Sequence, residues 1–338
     1  MLITNKTAKY NYNYKESYSF SIPSAAIASI VKEVNTPTIL DHYSYYIEQQ
    51  RKLVGRGKEE GTIRTYLTRF RIIKDFIISK HSNYLYPKDF TIKIIREFEI
   101  FLRAHKKYTN DYTMKNIQLI GRILKLALEA GEIDFNPVSE LYQFHYERSY
   151  DPTFLEIDEL RLLQKKQFKQ DRLEKVKDVF LFCCYTGLTY VDVSLFRRSL
   201  HIVTGIDSKP WILLKRKKNT QKNTEDTHIP LLPIALDILE KYGNEQLPVL
   251  SNDKMNSYLK EIIDIVGIKK DITTKTARKT FGMLLYEEYN VPLATVSRML
   301  GHSTVKTTEQ WYVKTRMKKV IHDLKDSYLF FTDSKKTA

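Results

Sequence analysis

Cysteine is nearly missing from this chain: two residues in 338, Cys183 and Cys184, side by side in the apolar run Val179–Tyr185. Neighbouring positions of a helix point to different sides, and neither thiol has a third partner, so no disulfide framework or thiolate metal site is expected and both read as core. Histidine is scarce as well, eight residues at 42, 81, 105, 145, 201, 228, 302 and 322. None stands in an H-x-x-x-H or H-E-x-x-H arrangement, which disfavours zinc. No apolar run reaches the 18 residues that suggest a membrane span, and Met1–Ser24 is polar and tyrosine-rich without the apolar stretch of a signal peptide. The expectation is a cytoplasmic protein with no membrane partner, no metal and no cofactor. Acidic residues are also short: 40 against 55 lysines and arginines, a net charge of +15. The surplus is spread along the chain, which fits a polyanionic partner better than a basic tail does; a basic surface that binds nothing is the alternative.

What is present suffices for two domains with cores of their own, since 42% of residues are hydrophobic and 28% charged. Residues 1–36 mix Asn, Tyr, Lys and Ser and read as a mobile arm, with a short helix over Ala25–Val31 at most. From Thr38 the apolar period becomes helical. Four helices are marked by Leu40–Ile47, Ile63–Phe76, Ile92–Leu102 and Met114–Leu128, and they define a helical domain over 37–140. Its polar faces carry Arg64, Arg69, Arg71, Lys74, Lys106, Lys107, Lys115 and Arg122. Residues 141–153 lack a period and read as a linker. A second domain spans 154–326, with a buried helix over Leu173–Tyr185 and β-rich runs at Leu200–Val203, Trp211–Arg216 and Thr227–Pro230. Met317–Leu324 reads as a last short helix, and residues 327–338 form a tail whose Tyr328-Leu329-Phe330-Phe331 is an apolar patch suited to a partner.

The second domain is organised around Lys275–Tyr312. Thr274 or Thr276 can cap a helix over Ala277–Tyr289, which leaves Arg278 near its positively polarised end, a place to hold a phosphate. Gly301 ends a later helix, His302 follows, and Trp311-Tyr312 stand about three helical turns on. The run A-R-K-T-F, then L-G-H, then T-T, then tyrosine resembles the signature of the tyrosine recombinases, the phage-integrase family. Carried over by position, the resemblance makes Arg278 the second-box arginine, His302 the L-G-H histidine and Tyr312 the nucleophile. Lys275 stands where the box usually has histidine. The register also departs: the family tyrosine commonly lies nine residues after the histidine, where this chain has Trp311.

A second motif supports the resemblance. Thr186-Gly187-Leu188-Thr189-Tyr190-Val191-Asp192-Val193 matches T-G-L-R-x-x-E/D-[LIV] except at Thr189, where the family has a phosphate-binding arginine. A hydroxyl donates one hydrogen bond and no charge, so the site is one cation short. Asp192 reads as an acceptor holding backbone or a cation. In the basic hairpin Lys215–Lys222 the resemblance aligns Lys218 with the lysine that reaches the leaving 5′ oxygen. Arg216, two residues earlier, shares its strand face and is the candidate to replace the missing arginine.

The family implies a mainly α fold with a small β-sheet: a SAM-like core-binding domain, then a mixed α+β catalytic domain. It implies no separate arm-binding domain for so short an arm. It also implies double-stranded DNA as partner, a tetramer on paired DNA sites, and accessory DNA-bending proteins in some systems. The expected activity is strand cleavage and rejoining through a 3′-phosphotyrosine, for integration, excision or inversion. Two alternatives stay open: a catalytically silent DNA-binding protein on the same scaffold, motivated by Thr189, Lys275 and the tyrosine register, and a swivelling topoisomerase.

Overall fold

The computed structural model describes residues 36–80, 84–147, 153–216 and 226–312, with backbone alone for 311–312. Contacts divide the chain into two compact units, residues 1–149 and 150–338. The expected helices over Ala25–Val31 and Met317–Leu324, the arm 1–36 apart from its last residue, and the tail 327–338 lie outside the described residues.

The first unit is helical. It contains α1 (Ile39–Arg51), α2 (Glu60–Lys80), α3 (Ile92–Ile100), α4 (Asn110–Glu129) and the short α5 (Pro137–Glu140). Thr38 starts α1 with a capping box: its Oγ1 accepts from the Asp41 amide at 3.3 Å while Asp41 Oδ2 accepts from the Thr38 amide at 2.8 Å. Helix α3 widens at its end into a π turn over Phe101–His105. The apolar stripes meet in one core around Tyr43, Ile73, Phe76 and Phe98, all fully buried, with Phe76 and Phe98 tilted together at 5.0 Å between ring centres. Of the eight basic residues expected on the outer faces, Lys106 and Lys115 are occupied by Asp75 at 2.9 Å and Asp111 at 2.5 Å. Arg69 reaches the Lys115 carbonyl at 3.3 Å. Arg64, Arg71, Lys74 and Lys107 are exposed.

The second unit is built round α7 (Asp171–Thr186), preceded by α6 (Ile157–Lys165). Every residue of α7 from Val176 to Thr186 is buried, because α10 (Pro233–Tyr242), α11 (Asn252–Val266) and α12 (Thr274–Met283) all pack on it. Cys183 and Cys184 lie inside this core, where burial pushes the Cys183 thiol up to about 12. Helix α7 ends at Gly187, whose φ of +65° suits a residue without Cβ. Short helices α8 (Tyr190–Leu195) and α9 (Arg198–His201) lead into β1 (Ile202–Thr204). The first strand thus begins two residues later than its apolar run suggests, since Arg198–His201 closes a helical turn.

Strand β1 pairs antiparallel with β2 (Pro210–Leu214), and β2 with β3 (Thr227–Pro230), in the order β1-β2-β3. Ile212 sits opposite both Ile202 and Ile229, and Leu214 opposite Thr227. Alternation along β2 buries Ile212, Leu214 and, just past the strand, Arg216, while Lys215 stays exposed. A period-two rule thereby sends a guanidinium inward. Helix α12 begins after Thr273, whose amide donates to Thr276 Oγ1 at 3.1 Å, one residue before the expected cap. Its expected continuation to Tyr289 is interrupted by a π turn over Leu284–Glu288. Helices α13 (Leu293–Leu300) and α14 (Val305–Tyr312) are the last elements among the described residues.

Candidate active site

The carbonyl oxygen of Gly187 is the point on which the site converges. Arg216 Nη1 donates to it at 3.1 Å and Arg278 Nη1 at 2.9 Å. The first arginine comes from the exit of β2, the second from the first turns of α12. Arg216 Nη1 also donates to Asp192 Oδ2 at 3.1 Å, and its Nη2 to the Met299 carbonyl at 3.1 Å. Arg278 Nη2 donates to the Leu300 carbonyl. Both guanidiniums are therefore strung between the end of α7 and the last turn of α13.

Asp192 supplies the counter-charge. Its Oδ2 accepts from the Thr189 amide at 3.1 Å and from Thr189 Oγ1 at 2.8 Å as well as from Arg216. Thr189 is thus the N-cap of α8, and its hydroxyl shares the Asp192 carboxylate with the Arg216 guanidinium. Only 4% of either side chain in the Asp192–Arg216 pair is exposed. Burial, then the neighbouring Arg278, pull Arg216 down to about 10, which still leaves it protonated at neutral pH. Its Nε–H is buried without an acceptor among the described residues.

His302 follows Gly301, which caps α13 at φ +67°. The Cβ of any other residue at 301 would stand 2.9 Å from Arg216 Cγ and from Thr227 Oγ1, so the glycine admits the arginine. Nδ1 of His302 lies 2.8 Å from Thr308 Oγ1. Burial first, then the charges of Arg278 and Arg216, push the imidazole down to about 4, so it is neutral at physiological pH.

Thr189, Asp192, Arg216, Lys275, Arg278 and His302 line one cavity of about 610 Å³. Lys275 is exposed at its edge, and Thr274 is fixed there by Asn252 and Asn256 through its hydroxyl and amide at 3.0 and 2.9 Å. With His302 neutral, three cations face one carboxylate, a field that favours an anion with several acceptor oxygens. No group of three His, Cys, Asp or Glu able to hold a metal occurs among the described residues.

Four of the residues singled out in the sequence, Arg216, Lys275, Arg278 and His302, therefore share a cavity. Tyr312 is the last residue of α14, and Lys218 lies outside the described residues. Two participants were given no role: the Gly187 carbonyl, and Thr308, which entered only as part of the T-T pair. The second had a signal, since it lies one helical turn before Tyr312.

A helical bundle followed by a helical unit with a three-stranded sheet, carrying its arginines and histidine around a T-G-L turn and an L-G-H turn, is the architecture of the phage integrases. The model of the phage integrase SAM-like domain matches residues 38–146, and that of the phage integrase family matches residues 187–319. The chain belongs to the phage integrase family, the tyrosine recombinases. Tyrosine recombinase XerD of Lacticaseibacillus casei is 30% identical over 108 residues, 27% of this chain and 36% of that protein, so the chain matches about a third of the relative's length. Among solved structures, a lambda integrase dimer bound to a COC′ core site shares the fold with a TM-score of 0.63 at 15% identity, covering 84% of this chain and 80% of that one. The Tn1549 transposon integrase in complex with a circular intermediate DNA gives 0.63 at 10% identity, over 86% and 99%.

Proposed function

We propose that this protein is a site-specific DNA recombinase that cleaves and rejoins strands through a 3′-phosphotyrosyl intermediate, serving integration, excision or inversion of a mobile element. The observation that carries the reading is the pair of guanidiniums on one carbonyl beside a neutral imidazole, in a cavity one helix away from Tyr312. Such an array suits a phosphodiester, whose attack by a nucleophile builds charge on the non-bridging oxygens. Tyr312 Oη releases its proton to solvent as it attacks phosphorus and bonds to the DNA 3′ phosphate, while the bond to the 5′ oxygen breaks. Arg278 and Arg216 neutralise the developing charge, and Lys275 adds to it from the cavity edge. His302 donates a hydrogen bond to a non-bridging oxygen, and Lys218 protonates the leaving 5′ oxygen. A 5′ hydroxyl from another strand then attacks the phosphotyrosine and restores Tyr312. One phosphodiester is exchanged for another, so the reaction needs no external energy source.

The partner is double-stranded DNA, whose phosphates suit the net charge of +15. A tetramer on paired sites is the assembly that exchange between two duplexes requires, and a lambda integrase tetramer bound to a Holliday junction has the same fold at a TM-score of 0.63. Accessory DNA-bending proteins would serve to bring distant sites together.

A nicked suicide duplex, from which the short 5′ fragment diffuses away, tests the reading. The wild type should accumulate a covalent complex that survives denaturation. Tyr312→Phe should bind the same DNA and form none. Binding without a covalent complex in the wild type would make the protein a silent integrase-like DNA binder, and an adduct in Tyr312→Phe would make another residue the nucleophile.

A further inference from the structure

We propose that Thr308 is a positioning residue: its hydroxyl donates to Nδ1 of His302, keeps the imidazole proton on Nε2, and ties that orientation to the seating of the helix that ends in Tyr312. This rests on the recombinase reading above and adds to it a residue that acts through the histidine.

A neutral imidazole has one donor nitrogen and one acceptor nitrogen, and whatever binds the first decides the second. Thr308 Oγ1 stands 2.8 Å from Nδ1, and Thr308 is fully buried. A buried hydroxyl hydrogen without an acceptor is costly. The usual local outlet, the carbonyl four residues back, belongs to Thr304 and already accepts from the Thr307 amide at 3.2 Å and Ser297 Oγ at 3.5 Å. Among the described residues Thr308 Oγ1 has no side-chain or backbone partner other than His302. The hydroxyl hydrogen therefore goes to Nδ1, and Nε2 carries the ring proton. That nitrogen is the one left to serve the cavity, where it adds a neutral donor to the two guanidiniums.

The same bond couples two elements. His302 follows the last turn of α13, whereas Thr308 belongs to α14, four residues before Tyr312 and so one turn away along the same face of the helix. Moving α14 away removes the hydroxyl from Nδ1 along with the tyrosine from the site. The ring is then free to shift its proton or turn, and the cavity loses its neutral donor. The histidine is thus set for phosphate only when the nucleophile's helix is in place.

Selective nitrogen-15 labelling of histidine in the full-length protein, with His302→Gln to assign the signal, reads the tautomer directly by long-range proton–nitrogen NMR without DNA. The wild type should show protonated Nε2 near neutral pH. Thr308→Val, which keeps shape and loses the hydroxyl, should mix the tautomers, and Thr308→Ser should restore the wild-type signal. On the suicide duplex, Thr308→Val should slow covalent-complex formation at saturating DNA by at least roughly tenfold, with unchanged affinity and a displaced pH profile, while Thr308→Ser keeps most of the rate. A wild-type ring protonated on Nδ1 overturns the proposal and needs no variant to fold. So does a Thr308→Val protein with wild-type tautomer, rate and pH profile. If the wild type forms no covalent complex, the recombinase reading fails, while the tautomer measurements still decide what Thr308 does to His302.

Discussion

Arg216 cannot be removed without consequence for the fold. Truncating it takes the guanidinium from the buried Asp192 carboxylate, and breaking a buried pair from one side costs about 3–5 kcal/mol. Arg216→Ala should therefore lower the unfolding midpoint as well as the rate on the suicide duplex. Adding Asp192→Asn should return most of the stability in denaturant unfolding and little of the cleavage, which separates the structural from the chemical part. His302 gives a pH signature. Its folded value, about 4, lies below the unfolded 6.5, so the unfolded chain binds the proton more tightly. The stability contributed by the neutral ring is complete above pH 6.5 and is lost as pH falls towards 4. Thermal unfolding of wild type and His302→Gln across this window should show the variant losing less. At this scale the sequence was informative where chemistry depends on residue type and spacing: Arg216 shares a strand face with the buried Ile212 and Leu214, so its inward direction was readable from the alternation. Which oxygen it meets was not, because Gly187 lies 29 residues away and Arg278 reaches the same atom from 91.

Helix ends and strand limits were less legible than the elements themselves. The apolar periods of α1, α2 and α4 announce helices, but three successive threonines, Thr273, Thr274 and Thr276 with Lys275 between, offer competing caps for α12. Tertiary packing chooses: Thr274 is taken by Asn252 and Asn256, and Thr273 starts the helix. The break at Leu284 is likewise invisible in a run whose apolar residues keep helical spacing. Glycines at element ends carry more of the site than their local role suggests. Gly301→Ala puts a Cβ at φ +67°, which costs about 1–2 kcal/mol, and presses it against Arg216 Cγ. The expected result is a modest loss in the unfolding midpoint with a disproportionate loss of covalent complex. A variant that loses both in the same proportion would show that Gly301 serves the turn alone.

Over the whole molecule the +15 charge sets the behaviour with salt. If DNA affinity comes from phosphate neutralisation, the logarithm of the binding constant should fall linearly with that of salt, by about 0.9 for each phosphate contacted. Removing an exposed cation such as Arg71 or Lys74 should lower that slope by about 1, whereas Lys115→Ala should change it little, since Asp111 already holds that ammonium. A fluorescence-anisotropy titration at four salt concentrations distinguishes them. The meeting of Arg216 and Asp192 beside Thr189 also bears on how relatives of this chain should be sorted. A comparison by alignment columns finds threonine where arginine is expected and would file the chain with degenerate members. In space, Arg216, 27 residues later in the chain and just past a strand, meets the same carboxylate as Thr189; if it serves the phosphate as proposed, the charge arrives by another route. Lineages that trade one delivery route for the other would pass through ancestors holding both arginines, and such doubly charged sequences are the ones to look for.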